Sequence, residues 1–280
     1  MNESEENPEE IKRILVAIDG SPHSLAALKL AGELASRIGA ELLGLYVEDV
    51  NLLRIAELPI SREIGFYSAR VRDMDVRRIQ RQLRAQARRA EQALALIAES
   101  AEVGWSFRVA HGLISAELLA AAAEADLIIL GKAGWSRRKR LGSTAKTIVI
   151  HSEGHVLIFQ SGVRLSRPVV VVYDGSPASK KGLEASLDMR EADSPLTVLI
   201  SAEDADEMRA LQMEVQEWAQ QHGVFPQYRW LTEIDEEIIA RQAWSISCGV
   251  LILPKQIEFI PSEKLLALLD QTDCAVYLVP

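Results

Sequence analysis

Residues 14–22 read ILVAIDGSP, and the same pattern returns at residues 169–177 as VVVVYDGSP. In both places an apolar run is followed by Asp-Gly-Ser-Pro. A continuous run of Val, Ile and Leu of this length is typical of a strand buried on both faces of a parallel sheet. Ser-Pro is a favourable pair for opening a helix. The stretch therefore predicts a strand, a tight turn and a helix, twice in one chain.

Two further echoes extend this repeat through the chain. LIIL at residues 127–130 returns as VLIL at 250–253, and VLIF at 156–159 returns as AVYL at 275–278. The three signals keep their order with offsets of 155, 123 and 119. The second half is therefore shorter by 32 residues before its penultimate strand and by four after it.

Apolar runs alternate with helical patterns in each half, which predicts right-handed crossovers and parallel sheets. The fold class we predict is α/β, with two tandem doubly wound five-stranded parallel sheets related by a pseudo-two-fold axis. The predicted strands are 12–18, 41–47, 105–110, 126–131 and 155–160, then 168–173, 196–201, 225–230, 249–253 and 274–279. The predicted helices are 22–38, 70–101, 114–124 and 143–152, then 177–190, 204–222, 233–247 and 261–271.

These elements define the predicted domains. Residues 1–10 hold five glutamates and no apolar stretch, so we expect a disordered arm there. The first domain is predicted at 11–161, a linker at 162–167, and a shorter, degenerate second domain at 168–280.

Composition excludes several classes of protein. No apolar run reaches the 18 or so residues that a membrane span needs, and the N-terminal segment does not have the pattern of a signal peptide. Two cysteines without a CxxC pair argue against a disulfide scaffold or a zinc site. We therefore expect a cytoplasmic protein with no membrane partner and no metal centre of its own.

The charge is uneven along the chain. The net charge is −9. Residues 1–167 hold 23 basic against 21 acidic side chains, a net of +2, whereas residues 168–280 hold 8 against 19, a net of −11. An acidic chain is not expected to bind nucleic acid, but a small anionic ligand in the first half remains open.

Doubly wound sheets bind ligands beyond the carboxyl ends of their strands, and three segments fall there in the first half. They are DGS at 19–21, VED at 47–49, and GKAG at 131–134 running on to LGST at 141–144. Glycines admit a phosphate close to the backbone, and the N-terminus of a helix attracts anions. The Walker pattern and the dinucleotide fingerprint are both missing from the sequence.

These motifs resemble those of the universal stress proteins, whose ATP-binding members share GxxG, nine residues, then Gly and Ser or Thr. The stretch 111–131 is also similar to that family. The resemblance implies the adenine nucleotide alpha hydrolase-like fold. One departure is that seven residues, not nine, separate Gly134 from Gly142, and four of them, 137–140, are basic. In the second half PKQI at 254–257 replaces the glycine loop, so we expect no ATP there.

The resemblance also implies roles for single residues. Asp19 would hydrogen-bond adenine, the backbone of Val47 would touch its edge, and Leu130 and Gly131 would line the nucleoside. Ribose and phosphates would be held by Gly134, Gly142, Ser143 and Thr144, and the predicted set is completed by Ala17 and Gly20. A Mg²⁺ ion would enter only as the counter-ion of ATP. A plain helix-capping role is the alternative for Asp19, and it is the role we predict for Asp174.

We therefore expect a regulatory ATP-binding protein of the stress response and not an enzyme, with at most a very slow ATPase activity. One alternative is a nucleotide-free interaction or small-molecule-binding protein. A transferase or ATP pyrophosphatase of related fold is disfavoured, because such enzymes place a longer glycine-serine loop after the first strand. The final strands of the two halves are predicted to pair antiparallel as an internal dimer, and a further homodimer is left open.

Three more expectations concern the rest of the chain. The apolar segment 51–69 is predicted to be a lid on the first-half cleft or to pack against a partner. Arginines at helical spacing predict a solvated helix face, with binding to a partner or an acidic surface as the alternative; they are Arg70, Arg77, Arg81, Arg84 and Arg88. Cys248 and Cys274 are predicted to be buried thiols that are neighbours in space.

Overall fold

The structure is a computed structural model that describes residues 11–57, 62–64, 71–73, 75–133, 140–159, 167–231, 235–255 and 261–280. The first half comprises β1 (Arg13–Ala17), α1 (Pro22–Ile38), β2 (Glu41–Asp49), α2 (Val50–Glu57), β3 (Arg62–Ile64), β4 (Val71–Asp73), α3 (Val76–Ala101), β5 (Trp105–Gly112), α4 (Ile114–Ala122), β6 (Leu127–Gly131), α5 (Ser143–His151) and β7 (His155–Phe159). The second half comprises β8 (Val169–Tyr173), α6 (Pro177–Met189), β9 (Leu196–Ser201), α7 (Ala205–Gln221), β10 (Gln227–Leu231), α8 (Glu236–Ser245), β11 (Val250–Pro254), α9 (Ser262–Gln271) and β12 (Ala275–Val279).

Ten of the described strands form one sheet, in the order β10-β9-β8-β11-β12-β7-β6-β1-β2-β5. Each half has the same parallel order, and the two halves join where β12 pairs antiparallel with β7, with Tyr277 opposite Leu157. The predicted pairing of the two final strands is therefore confirmed, and the order is symmetric about the junction. Because the junction is antiparallel, the carboxyl ends of the strands point to opposite edges in the two halves.

Helices cover both faces of this sheet. One buried cluster contains residues of α1, α3, α6 and α7, such as Leu34 and Val215. The other contains residues of α4, α5, α8 and α9, such as Ile148 and Leu268. Each cluster includes side chains of both β7 and β12. Fully burying one large apolar side chain stabilises a protein by roughly 1.5–3 kcal/mol, so these shared clusters join the halves into a common core.

The helix starts follow from the sequence. Ser21 caps α1 by accepting a hydrogen bond from the Ser24 N–H at 3.1 Å, and Ser176 caps α6 in the same way from Ser179, also at 3.1 Å. Pro follows the cap in both helices, where its missing N–H is no loss. The repeated DGSP motif thus has a local structural reason in each half.

The structure departs from the predicted elements in one region. Residues 71–73 form β4, which pairs antiparallel with β3, so the prediction of a helix from residue 70 is wrong for that stretch. Helix α3 begins at Val76 because Asp75 caps it, accepting the Arg77 N–H at 2.9 Å. Helix α2 occupies the start of the segment expected to be a lid. The arm 1–10 and linker residues 162–166 lie outside the described residues. No helix in the described ranges is long and apolar enough to cross a membrane.

Candidate functional site

The turn after β1 places the Asp19 carboxylate in an exposed position. Its Oδ1 accepts a hydrogen bond from the Ser21 N–H at 2.8 Å. Gly20 has φ +74°, a left-handed conformation that glycine adopts without steric cost. The cap of α1 is therefore Ser21, and Asp19 holds the turn that precedes it.

The end of β2 contributes a polar group next to that turn. The Tyr46 hydroxyl donates to Gln86 Oε1 of α3 at 2.9 Å. Burial raises the pKa of Tyr46 to about 12, and the nearby carboxylates of Glu48 and Asp19 act in the same direction. The hydroxyl therefore stays protonated at neutral pH. Glu48 is buried, with Oε2 3.1 Å from His111 Nδ1.

Gly131, at the end of β6, and Gly142, at the start of α5, differ in whether their position needs a glycine. A Cβ on Gly131 would lie 2.9 Å from the Cβ and 3.0 Å from the carbonyl carbon of His23 in α1, so close packing excludes a larger residue. A Cβ on Gly142 would meet only the Lys132 carbonyl oxygen at 3.8 Å. Gly142 is the N-cap of α5, and neither its backbone conformation nor its packing demands glycine. The space beside it is open.

These segments border a cavity of about 480 Å³, which lies within the usual range for small-molecule sites. It lies at the switch point between β1 and β6, where ligands bind in sheets of this kind. The structure brings together eight of the predicted site residues on its wall: Ala17, Asp19, Val47, Leu130, Gly131, Gly142, Ser143 and Thr144. Gly20 stays in the turn and is not on the wall, and Gly134 lies outside the described residues.

The wall also includes residues outside the predicted site set: Ile18, Ser21, Ser24, Leu45, Tyr46, Asp49, Leu52, Gln86, Ile114, Leu118, Ala133 and Ala145. Most belong to elements whose place was predicted, but their approach to one cavity depends on tertiary packing. Leu52 of α2 had a signal, since it stands in the apolar segment 51–69. Its neighbour Leu53 packs against Ile79 and Leu83 of α3, which holds α2 beside the cavity.

The described wall carries two carboxylates, Asp19 and Asp49, and no lysine, arginine, histidine or cysteine. A positive potential is supplied by the N-terminus of α5, which begins at Ser143 and has no acidic residue in its first turn. Of the basic segment 137–140, the structure describes only Arg140, which is exposed. Within the described ranges, no cluster of three or more His, Cys, Asp or Glu could hold a metal ion.

The second half repeats the turn without the glycine loop. Asp174 Oδ1 accepts the Ser176 N–H at 3.0 Å, and Gly175 has φ +78°. The preceding Tyr173 is fully buried, and its pKa is raised by burial and by a hydrogen bond to Glu214. The Asp-Gly-Ser turn therefore forms in the same way in both halves, and its local geometry does not by itself indicate a ligand.

The remaining predicted features have definite places. Cys248 and Cys274 are both free and buried, and their thiols are in hydrogen-bonding contact, which with burial raises the pKa of Cys248. On α3, the side chains of Arg77, Arg81, Arg84 and Arg88 are exposed, as a solvated face requires. Arg70 lies outside the described residues.

A parallel sheet with a cavity at the switch point places the chain among the doubly wound α/β proteins. The sequence profile of the Universal stress protein family matches residues 10–160, more than half of the chain, and the chain belongs to that family. Its fold is the adenine nucleotide alpha hydrolase-like fold of that family. No curated protein matches the sequence.

Solved structures of similar fold extend over the whole chain. A universal stress protein from Archaeoglobus fulgidus is 17% identical with a TM-score of 0.72, covering 95% of this chain and 97% of its own. A functionally unknown protein from Pseudomonas aeruginosa is 16% identical with a TM-score of 0.62, covering 96% and 92%. The cytoplasmic domain of a prokaryotic cation chloride cotransporter is 10% identical with a TM-score of 0.50, covering 96% and 95%. At these identities the comparisons show the fold alone.

Proposed function

We propose that the first half binds ATP and that the protein is a cytoplasmic regulator of the stress response that responds to this nucleotide. The observation that carries the proposal is the convergence of three separate segments on one cavity. Residues after β1, at the end of β2 and on either side of the loop from β6 to α5 border the same 480 Å³ space. Neighbouring motifs can lie close together simply because they are near in sequence, but the loop from β6 to α5 lies more than a hundred residues along the chain from the turn after β1.

Each part of the cavity suits a part of the ligand. Asp19 offers a carboxylate that can accept from the adenine amino group, and Val47 offers backbone at the adenine edge. Leu130 and Leu118 give an apolar wall for the ring. At the N-terminus of α5, Ser143 and Thr144 offer backbone N–H groups and hydroxyls to phosphate, and Gly142 leaves open space beside them. A Mg²⁺ ion would arrive with ATP as its counter-ion.

Binding, rather than efficient catalysis, is what these groups support. Among the described wall residues the only carboxylates are those of Asp19 and Asp49, and no histidine or lysine is on this wall to activate a hydroxyl nucleophile. We infer no enzyme activity beyond a very slow ATPase. The second candidate is a nucleotide-free binding protein, which is favoured by the two carboxylates on the wall and by the shortened segment between Gly134 and Gly142.

Calorimetric titration of the wild type with ATP and with adenosine tests the proposal, together with identification of any nucleotide released on denaturing the purified protein. We expect ATP to bind more tightly than adenosine, with the difference shrinking as salt rises. Gly142→Val fills the open space beside α5 and is expected to weaken ATP binding, whereas Gly142→Ala weakens it less. Because the nearest protein atom to a Cβ here is 3.8 Å away, both variants are expected to fold. No binding of ATP by the wild type supports the nucleotide-free candidate.

A further inference from the structure

Two lysines at equivalent positions cross between the halves. Lys132 follows β6 and Lys255 follows β11, an offset of 123 that matches the repeat. The Lys132 ammonium donates to the carbonyl oxygens of Asp270 at 3.2 Å and Thr272 at 2.7 Å. The Lys255 ammonium donates to the Ser152 carbonyl at 2.8 Å, to its hydroxyl at 3.0 Å, and to the Gly154 carbonyl.

The antiparallel junction explains this exchange. Because the two halves point in opposite directions, the loop beyond the carboxyl end of β6 meets the turn that leads into the amino end of β12. Each lysine therefore reaches the C-terminus of the last helix in the other half, α9 for Lys132 and α5 for Lys255. A helix C-terminus carries unpaired carbonyls and a partial negative charge, which favour a cation.

On the first-half side a second contact accompanies the lysine. The Leu141 N–H donates to Asp270 Oδ1 of α9 at 2.6 Å. The Gly142 N–H donates to the Lys132 carbonyl at 2.9 Å, which closes the base of the loop. Lys132 is buried, 3% exposed, and its side chain is turned away from the ATP cavity into the second half. Residues on both sides of the loop are thus tied to α9.

We propose that the second half positions the phosphate-binding segment of the first through Asp270 and Lys132. Asp270 fixes Leu141, the residue directly before the Gly142-Ser143-Thr144 entry of α5, and Lys132 fixes the other side of the loop. The inference rests on the proposed function, since it assigns Asp270 a role at the phosphate end of that site. The degenerate half thereby acts as a positioning domain for the nucleotide site.

Hydrogen exchange and calorimetry on full-length Asp270→Ala, with Asp270→Asn beside it, test this positioning. The alanine variant loses the acceptor for Leu141, whereas asparagine keeps an Oδ1 that accepts the same bond. We expect Asp270→Ala to accelerate exchange of the Leu141 and Gly142 amides and to weaken ATP binding about five- to tenfold more than adenosine binding, the effect of one lost hydrogen bond. Asp270→Asn is expected to remain close to the wild type in both measurements.

Two further variants separate positioning from general loosening of the interface. Lys132→Met removes the second anchor and is expected to act in the same direction as Asp270→Ala, and it replaces that variant if the alanine protein fails to fold. Lys255→Met breaks the equivalent contact at the opposite edge and is expected to leave exchange of the Leu141 and Gly142 amides unchanged.

Each result of these experiments bears on a different part of the proposal. Unchanged exchange of the Leu141 and Gly142 amides in Asp270→Ala would overturn the anchoring. Faster exchange with an unchanged ratio of ATP to adenosine affinity would overturn the role at the phosphate site. If the wild type binds neither ligand, the proposed function is wrong, and the exchange data alone then decide whether α9 anchors the loop.

Discussion

Asp19 and Asp174 occupy equivalent positions and make the same local contact. Each carboxylate accepts the N–H of the serine two residues later, at 2.8 Å and 3.0 Å. Such a bond stabilises a turn before a helix and explains an aspartate at both positions without any ligand. What differs is the surroundings, since only Asp19 borders the cavity with the glycine-bearing entry of α5. The pair therefore separates the structural role of this residue type from a binding role.

Asp19→Ala and Asp174→Ala form a matched test of that separation. Both variants lose the same turn-stabilising bond, so we expect a similar, modest loss of stability in urea denaturation. Under the proposed function only Asp19→Ala also loses an acceptor for adenine, so this variant alone is expected to bind ATP about five- to a hundredfold more weakly, equivalent to roughly 1–3 kcal/mol. Calorimetric titration of both variants provides the measurement. Equal ATP affinity in the two variants would contradict the placing of adenine against Asp19.

At the scale of elements, α5 connects the first-half cavity to the second half. Its N-terminus opens on the cavity, and its C-terminus receives the ammonium of Lys255 from the loop after β11. Burial lowers the pKa of Lys255 to about 8, although the oxygens of Ser152 and Gly154 that accept from it favour the charged form. The cost of taking the ammonium out of water is thus only partly offset by its partners.

The lowered pKa predicts how stability changes with pH. In the unfolded chain Lys255 titrates near its ordinary value of 10.5, so between about pH 8 and 10.5 the unfolded state binds more protons than the folded state. Raising the pH through this window therefore favours folding. Below about pH 8 the full cost of burying the charge is present.

Lys255→Met removes this titration and serves as the reference. We expect the free energy of unfolding of the wild type, measured by urea denaturation and compared with Lys255→Met, to increase from about pH 7.5 to pH 9.5. A difference that stays constant or falls over this range would show that the pKa of Lys255 is not lowered in the folded protein.

At the scale of the whole molecule, β7 and β12 are each the edge strand of their own half, and their pairing places both at the centre of the ten-stranded sheet. Both are apolar and buried on both faces. Exposed apolar edges promote association with other chains, and the antiparallel pairing satisfies these two edges within one chain. The sheet ends at β5 and β10, whose side chains are largely exposed.

Native-state hydrogen exchange tests whether the pairing of β7 with β12 persists in the folded protein. Amides of residues 155–159 and 275–279 are expected to exchange among the slowest in the protein, because opening them requires separating the two halves. Amides of the edge strands, 105–112 and 227–231, are expected to exchange faster. Exchange in β7 and β12 as fast as in β5 and β10 would show that the halves open independently and that the shared core contributes little.

Much of the fold could be predicted from local signals. The runs at 14–18 and 169–173 are apolar at every position before the aspartate, and such a run is typical of a strand that is covered on both faces. The Ser-Pro pairs mark where the helices begin. The hairpin of β3 and β4 could not be predicted, because three-residue strands are too short to show a period. The predicted start of α3 is too early, because Asp75 resembles any other polar helix residue in the sequence. Only the structure shows that its side chain accepts the Arg77 N–H and caps the helix.

The sequence by itself determined the tandem repeat, the order of strands and helices and the segments that follow the carboxyl ends of the strands, because each depends on apolar runs, caps and glycines within a short window. The pairing of the final strands follows instead from the family resemblance and from the apolar edges that these strands would otherwise expose. Tertiary structure alone decided that Tyr46 and Gln86 are on the cavity wall, and that Lys132 points away from it. It also decided that Asp270 contacts Leu141 from 129 positions along the chain. Contacts of this kind arise from the antiparallel joining of two parallel sheets, and their partners are distant in sequence, so no local pattern records them.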